Sequence, residues 1–132
     1  MTIKDIFTTM DYGTAPEGNK EALAWLECHG HSFGHFINGE FTDAAAGFKS
    51  HNPANGTFLA DLSEGSADDV DNAVKAARKA QASWAKTSGH ARAKVLYAIA
   101  RLVQKHSRIL AVLETMDNGK PIRESRDIDI PL

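Results

Sequence analysis

The hydrophobic pattern of this chain changes period once, at Ser66, and that change constrains the fold more than any other feature. Before it, short apolar runs are separated by turn signals. Phe36-Ile37 and Glu40-Phe41 flank Asn38-Gly39, and Asn-Gly is the strongest two-residue hairpin signal because both central positions of a type I′ turn need positive φ. Residues 48–51 and 57–62 flank Pro53-Ala54-Asn55-Gly56 and predict a second hairpin. After Ser66 the spacing is helical. Ser66 can cap a helix, with Asp69 three residues on approximating a capping box. Val70, Ala73, Val74, Ala77 and Trp84 then share one face. Ser88-Gly89 interrupts, and a second helix is expected from about residue 90 to residue 116, with Val95, Leu96, Ile99, Leu102, Val103, Ile109, Leu110 and Leu113 as its stripe. It is roughly 40 Å long at about 1.5 Å per residue. So short a break predicts a helical hairpin. Upstream, Pro16-Glu17 can open a short helix through about Cys28, with Ala22, Leu23 and Leu26 on one face and Gly30 as a stop. Residues 1–15 are expected to form an extended arm. The segment reads as α+β.

The second helix carries more apolar surface than one antiparallel partner can cover, and the first offers mostly Ala. Much of the stripe is therefore expected to pack on something else, and a chain standing alone would self-associate or stay molten. Glu114-Thr115 close the helix, and Asp117-Asn118-Gly119-Lys120-Pro121 break it. Arg126-Asp127-Ile128-Asp129 look like the approach to another element beginning at Pro131-Leu132. A sequence that ends there reads as the front portion of a larger protein.

Composition narrows the function classes. The 132 residues suit one ordinary domain, and 42% hydrophobic with 24% charged residues is a globular balance. A net charge of −2 argues against nucleic acid as the main partner. No apolar run approaches the roughly 20 residues that cross a bilayer. The start MTIKDIFTTMDYG has no apolar signal-peptide core, and the single Cys28 cannot form an internal disulfide. A cytoplasmic location is expected, with no membrane partner.

The candidate chemistry is sparse. Cys28, His29, His31 and His35 are zinc-ligand types, but structural zinc sites pair their ligands at fixed separations on defined frames. Here a loop is expected between them, which favours solvated histidines. Cys28 ends a helix, where the dipole disfavours a thiolate, so it reads as structural and not as a nucleophile. The glycines form neither a G-x-G-x-x-G nor a P-loop and serve turns and caps. Asp117 is the exception. Gly119 and Asn118 suit a helix terminator, yet a carboxylate at a helix C-terminus opposes the dipole and is better explained by a nearby cation.

Four phrases in order carry a resemblance: Phe36-Ile37-Asn38-Gly39-Glu40-Phe41, Asn52-Pro53-Ala54-Asn55-Gly56, Glu64-Gly65-Ser66-Ala67-Asp68-Asp69-Val70-Asp71, and the closing LETMDNGKP. Together they resemble the N-terminal part of the aldehyde dehydrogenase superfamily. Ile6-Phe7, Asp11-Tyr12-Gly13, Pro16-Glu17 and Ala22-Leu23-Ala24-Trp25-Leu26 look most like its family 16 branch.

The resemblance implies an α/β enzyme with a Rossmann-type NAD-binding domain. Residues 1–35 would be an arm and short helix, and residues 36–132 the incomplete N-terminal part of that domain. It implies NAD(P)-dependent oxidation of aldehydes to carboxylic acids through a cysteine thiolate, hydride transfer and a glutamate base. All of those groups would follow residue 132, so no catalytic and no cofactor-binding residue is expected here, and the segment alone would be inactive. It also implies a homo-oligomer and a monovalent cation held by Asp117 with the main-chain carbonyls of Ser50 and His51. Two rivals stand beside it. One is a non-catalytic structural or protein-interaction module of the same lineage, since family 16 includes members lacking the catalytic cysteine. The other is an independent helical-hairpin interaction domain.

Overall fold

The computed structural model describes residues 17–45 and 47–131. The expected arm and the opening Pro16 lie outside them, as does Leu132. Described elements run α1 (Lys20–Cys28), β1 (Ser32–Phe33), β2 (Phe36–Ile37), β3 (Glu40–Phe41), β4 (Gly47–His51), β5 (Phe58–Ser63), α2 (Ala67–Trp84), α3 (Gly89–Lys105), α4 (Ser107–Asn118) and the single turn α5 (Ile122–Glu124). A π-helical turn, Ser125–Asp129, follows. The segment is α+β, as its change of period implies.

Both hairpins form where their turns predict. In the first, Phe36 pairs with Phe41 and Ile37 with Glu40, around Asn38 and Gly39 at φ 57° and 88°. In the second, β4 and β5 pair antiparallel from Gly47–Ser63 to His51–Phe58, with an irregularity between Ser50 and His51. Strand β1 is the addition: it joins β5 in parallel, making a sheet ordered β1-β5-β4. Two residues are too few to show a period. Its register is set by His31, whose carbonyl accepts from the Asp61 amide at 2.8 Å and whose ring Nδ1 lies 2.6 Å from the Leu59 carbonyl oxygen.

The core sits where α1, β5 and α4 meet. Ala22 and Leu26 from α1, Leu59 from β5, and Val112 and Met116 from α4 are buried together, with Phe33, Ile109, Leu113 and Ile122 against them. Helix α1 begins at Lys20, later than Pro16-Glu17 suggested. The capping box of α2 is complete: Ser66 Oγ accepts from the Asp69 amide, and Asp69 Oδ2 accepts from the Ser66 amide at 2.9 Å.

The expected helix over residues 90–116 is divided at His106, where φ −105° and ψ 13° leave the helical range. Packing accounts for the division. Beyond it, Ala111, Val112 and Met116 are buried, whereas α3 buries no residue. One half is fixed to the core, and the other stays largely exposed among the described residues. The lead-in over residues 126–129 is likewise corrected, while an element beginning at Pro131-Leu132 would run past the described residues. Pro121, extended at φ −57° and ψ 131°, already opens a helical turn at Ile122, and Arg126 to Asp129 lie inside the π turn. The fully buried Ser125 anchors that turn by accepting from Thr115 Oγ1 at 3.1 Å.

Candidate functional site

The site is the joint between the second hairpin and the end of α4. On the hairpin side, Asn52 is 9% exposed and folds the turn onto itself. Its side-chain oxygen accepts from the Ala54 amide at 2.9 Å, and its carbonyl from the Gly56 amide at 2.7 Å. Asn55 Oδ1 takes both the amide and the hydroxyl of Thr57, at 3.0 and 2.8 Å. These short-range bonds are the turn-forming habit of Asn and fix the loop without strand partners.

On the helix side, Gly119 stands in the left-handed conformation at φ 77° and its amide donates back to Thr115, which is a helix C-terminus in the αL manner. Asn118 Oδ1 then accepts from the Lys120 amide at 2.7 Å. Gly119 is also the point of closest approach, since a Cβ there would stand 2.8 Å from Pro53 Cγ. Pro53 and Gly119 therefore bring the Asn-Pro turn and the Asp-Asn-Gly terminus together.

That docking places Ser50 against Asp117. The Ser50 hydroxyl donates to Asp117 Oδ1 at 2.5 Å, across 67 residues of sequence. Both line an apolar cavity of about 260 Å³, together with Trp25, Phe33, Leu59 and Met116. Of the three residues named from sequence, Ser50 and Asp117 meet directly. The His51 side chain turns elsewhere and sits edge-on to Phe58, with ring centroids 6.0 Å apart. Its expected role is through the main chain. The Ser50 hydroxyl contact was not foreseen, and one hydroxyl in a strand gives no sequence signal for it. Hydroxyl and carboxylate oxygens are hard donors, suited to an alkali or alkaline-earth cation and unsuited to a soft metal.

The histidines go to separate partners. His29 Nδ1 is 2.7 Å from the Trp25 carbonyl oxygen and its ring stacks on Trp25 at 4.1 Å. His31 holds Leu59 as described above. His35 Nε2 lies 3.9 Å from Asp69. Cys28 is exposed at the end of α1. Among the described residues, no three His, Cys, Asp or Glu side chains converge as a metal site. No helix there is long and apolar enough to cross a membrane.

The comparisons with known proteins agree on one lineage. Residues 41–132 match the model of the aldehyde dehydrogenase family. The chain is 48% identical over 101 residues to the putative aldehyde dehydrogenase DhaS of Bacillus subtilis, covering 74% of this chain and 20% of that protein. It is 47% identical over 100 residues to aldehyde dehydrogenase family 2 member B4, mitochondrial, of Arabidopsis thaliana, covering 73% and 19%. Among solved structures, the NAD+ complex of a Bacillus cereus aldehyde dehydrogenase is 40% identical with a TM-score of 0.75, over 84% of this chain and 23% of that one. HpcC from Thermus thermophilus has a TM-score of 0.78 at 31% identity, over 92% and 24%. The chain thus spans about one fifth of the curated relatives it matches. Since the matched stretch holds the second hairpin, α2 to α4 and the Asp117 terminus, the chain belongs to the aldehyde dehydrogenase family.

Proposed function

We propose that this chain is the N-terminal segment of an NAD(P)-dependent aldehyde dehydrogenase that oxidises aldehydes to carboxylic acids in the cytoplasm as a homo-oligomer. The observation that carries the reading is the likeness in both sequence and fold to the NAD+ complex of the Bacillus cereus enzyme. Within the family, Ile6-Phe7, Asp11-Tyr12-Gly13 and the helix residues Ala22 to Leu26 favour the family 16 branch.

The segment serves as scaffold. Its glycines are spread singly with no phosphate-cradling run, so the dinucleotide, which accepts hydride, is held by groups outside residues 17–131. Residues 36–132 form the first part of the nucleotide-binding domain, and α1 seals one side of it through Ala22 and Leu26. The catalytic cysteine and glutamate lie outside this chain. With NAD+ and a panel of aldehydes, the 132-residue chain should give no turnover, while the gene product extended past Leu132 should reduce NAD+. An inactive extended protein carrying neither a cysteine nor a glutamate motif would instead establish the non-catalytic module.

Asp117, with the main-chain carbonyls of Ser50 and His51, is read as a structural site for a monovalent cation. The Ser50–Asp117 contact supports it, because it brings the hairpin and the α4 terminus to one point. Exchanging sodium and potassium for a bulky organic cation should lower the melting temperature of the full-length protein, and Asp117→Asn should abolish that sensitivity. A melting temperature indifferent to the cation refutes the site.

A further inference from the structure

The dipeptide Asn-Gly recurs along the chain, at Asn38-Gly39, Asn55-Gly56 and Asn118-Gly119. Asparagine is among the thermally labile residues. A following glycine puts no Cβ beside the main-chain nitrogen that can attack the asparagine side chain. The fold treats these chemically equal pairs differently.

Two of them are locked. Asn55 Oδ1 is held by the amide and hydroxyl of Thr57, and the Gly56 amide donates to the Asn52 carbonyl at 2.7 Å. Asn118 Oδ1 accepts from the Lys120 amide at 2.7 Å, and its Nδ2 donates to Glu114 at 2.6 Å. The Gly119 amide donates to the Thr115 carbonyl at 3.0 Å. In both pairs the side chain and the attacking nitrogen are engaged elsewhere. Asn38-Gly39 differs. Both residues are exposed at the hairpin tip. Among the described residues, neither the Asn38 side chain nor the Gly39 N–H has a hydrogen-bond partner. The strands they join have two residues each, and so small a hairpin opens at low cost.

We propose that Asn38 is a site of spontaneous deamidation, the Asn-Gly pair that this fold leaves reactive. Base removes the Gly39 N–H proton, and that nitrogen attacks Asn38 Cγ. The new N–Cγ bond closes a cyclic imide as the Cγ–Nδ2 bond breaks, and Nδ2 takes a proton from solvent and leaves as ammonia. Water then opens the imide at either carbonyl. One product is aspartate. The other is isoaspartate, in which the main chain runs through Cβ and Cγ. The reaction consumes only water. Its rate follows how often the nitrogen and Cγ reach attacking geometry, which the hydrogen bonds of the locked pairs oppose.

The two products act differently on the hairpin. Aspartate tolerates positive φ and suits the same turn. Isoaspartate adds a main-chain atom to a two-residue turn whose length fixes the strand register. That register sets Phe36 opposite Phe41, with ring centroids 4.8 Å apart. The isoaspartyl form releases that pair.

The test is peptide mapping by mass spectrometry during incubation at mildly alkaline pH, with and without denaturant. It is run on the 132-residue chain and on the gene product extended past Leu132. In denaturant, all of the Asn-Gly pairs should convert. Without it, Asn55 and Asn118 should slow on the order of tenfold or more relative to their denatured rates, while Asn38 keeps most of its own. Isoaspartate should appear at position 38, and the Phe36–Phe41 contact seen by NMR should fall in proportion. Asn38→Asp should keep that contact and form far less isoaspartate. Protection of Asn38 equal to that of Asn55 and Asn118 in the folded extended protein overturns the proposal, as does equal loss at all of them. Isoaspartate at position 38 with the ring contact intact overturns the effect on register.

Discussion

Gly119 is the residue at which local conformation and long-range packing impose the same demand. Its φ of 77° is the left-handed region, and Pro53 occupies the space a side chain would enter. Gly119→Ala should therefore destabilise by about 1–2 kcal/mol for the conformation alone, with a further cost from Pro53. Gly39, at φ 88° with nothing within 4 Å, meets only the first demand. Chemical denaturation of both alanine variants separates the terms, and equal losses would dismiss the Pro53 contact. The Asp69 carboxyl is the other residue with a readable energy. Bonds from the Ser66 hydroxyl and amide, and then the nearby His35, hold it below its ordinary value of 3.8. Because the folded value is the lower one, its stabilisation is complete above 3.8 and is lost as pH falls through the depressed value. The melting-temperature gap between the native chain and Asp69→Asn should narrow as pH is lowered from 5 toward 2. A pH-independent gap would mean that the charge is irrelevant to the cap. Residues such as Ser66, Asn38 and Gly119 were legible in the sequence because their partners lie within a few positions. His31 was not: it takes φ 52°, and its reasons, Leu59 and Asp61, lie some thirty residues away.

Among the elements, burial divides what one periodic stripe joined. Residues 90–116 carry a continuous pattern with no Pro or Gly at 105–107 to mark a break, so the division at His106 follows from packing that the pattern does not encode. Helix α4 enters the core and α3 does not. Met116→Ala should consequently cost about 2–5 kcal/mol by loss of buried contacts. Leu96→Ala, at a position 61% exposed, should change stability by less than about 0.5 kcal/mol in the same denaturation series. Native-state hydrogen exchange should follow the same division, with amides of α4 opening at higher free energy than those of α3. Uniform protection across both helices would mean that α3 is covered in this chain. The hairpins were predictable for the opposite reason: Asn38-Gly39 and the Asn52 to Gly56 turn specify their own geometry, whatever packs on them. The Ser50–Asp117 joint depends on two such self-specified turns docking. Its members could be named through the family phrases, while the hydroxyl contact itself had no local cause.

Among the described residues, α1, β5 and α4 form the core, while the stripes of α2 and α3 are left exposed. That asymmetry leaves stabilisation unused, because half-exposed Val, Ile and Leu side chains gain only in proportion to the area they bury. The proposed function places further chain on them, and that placement is measurable. Ile99 is 53% exposed here. In the 132-residue chain, diluted until monomeric, Ile99→Ala should alter the free energy of unfolding by under about 0.5 kcal/mol, since little buried contact is lost. In a longer protein whose added residues pack on α3, the same substitution should cost about 2–5 kcal/mol, the range of a buried aliphatic truncation. A small loss in both backgrounds would mean that the α3 stripe stays exposed even when the chain is extended. The scaffold role assigned to the segment would then fail at α3, whatever activity the extended protein shows.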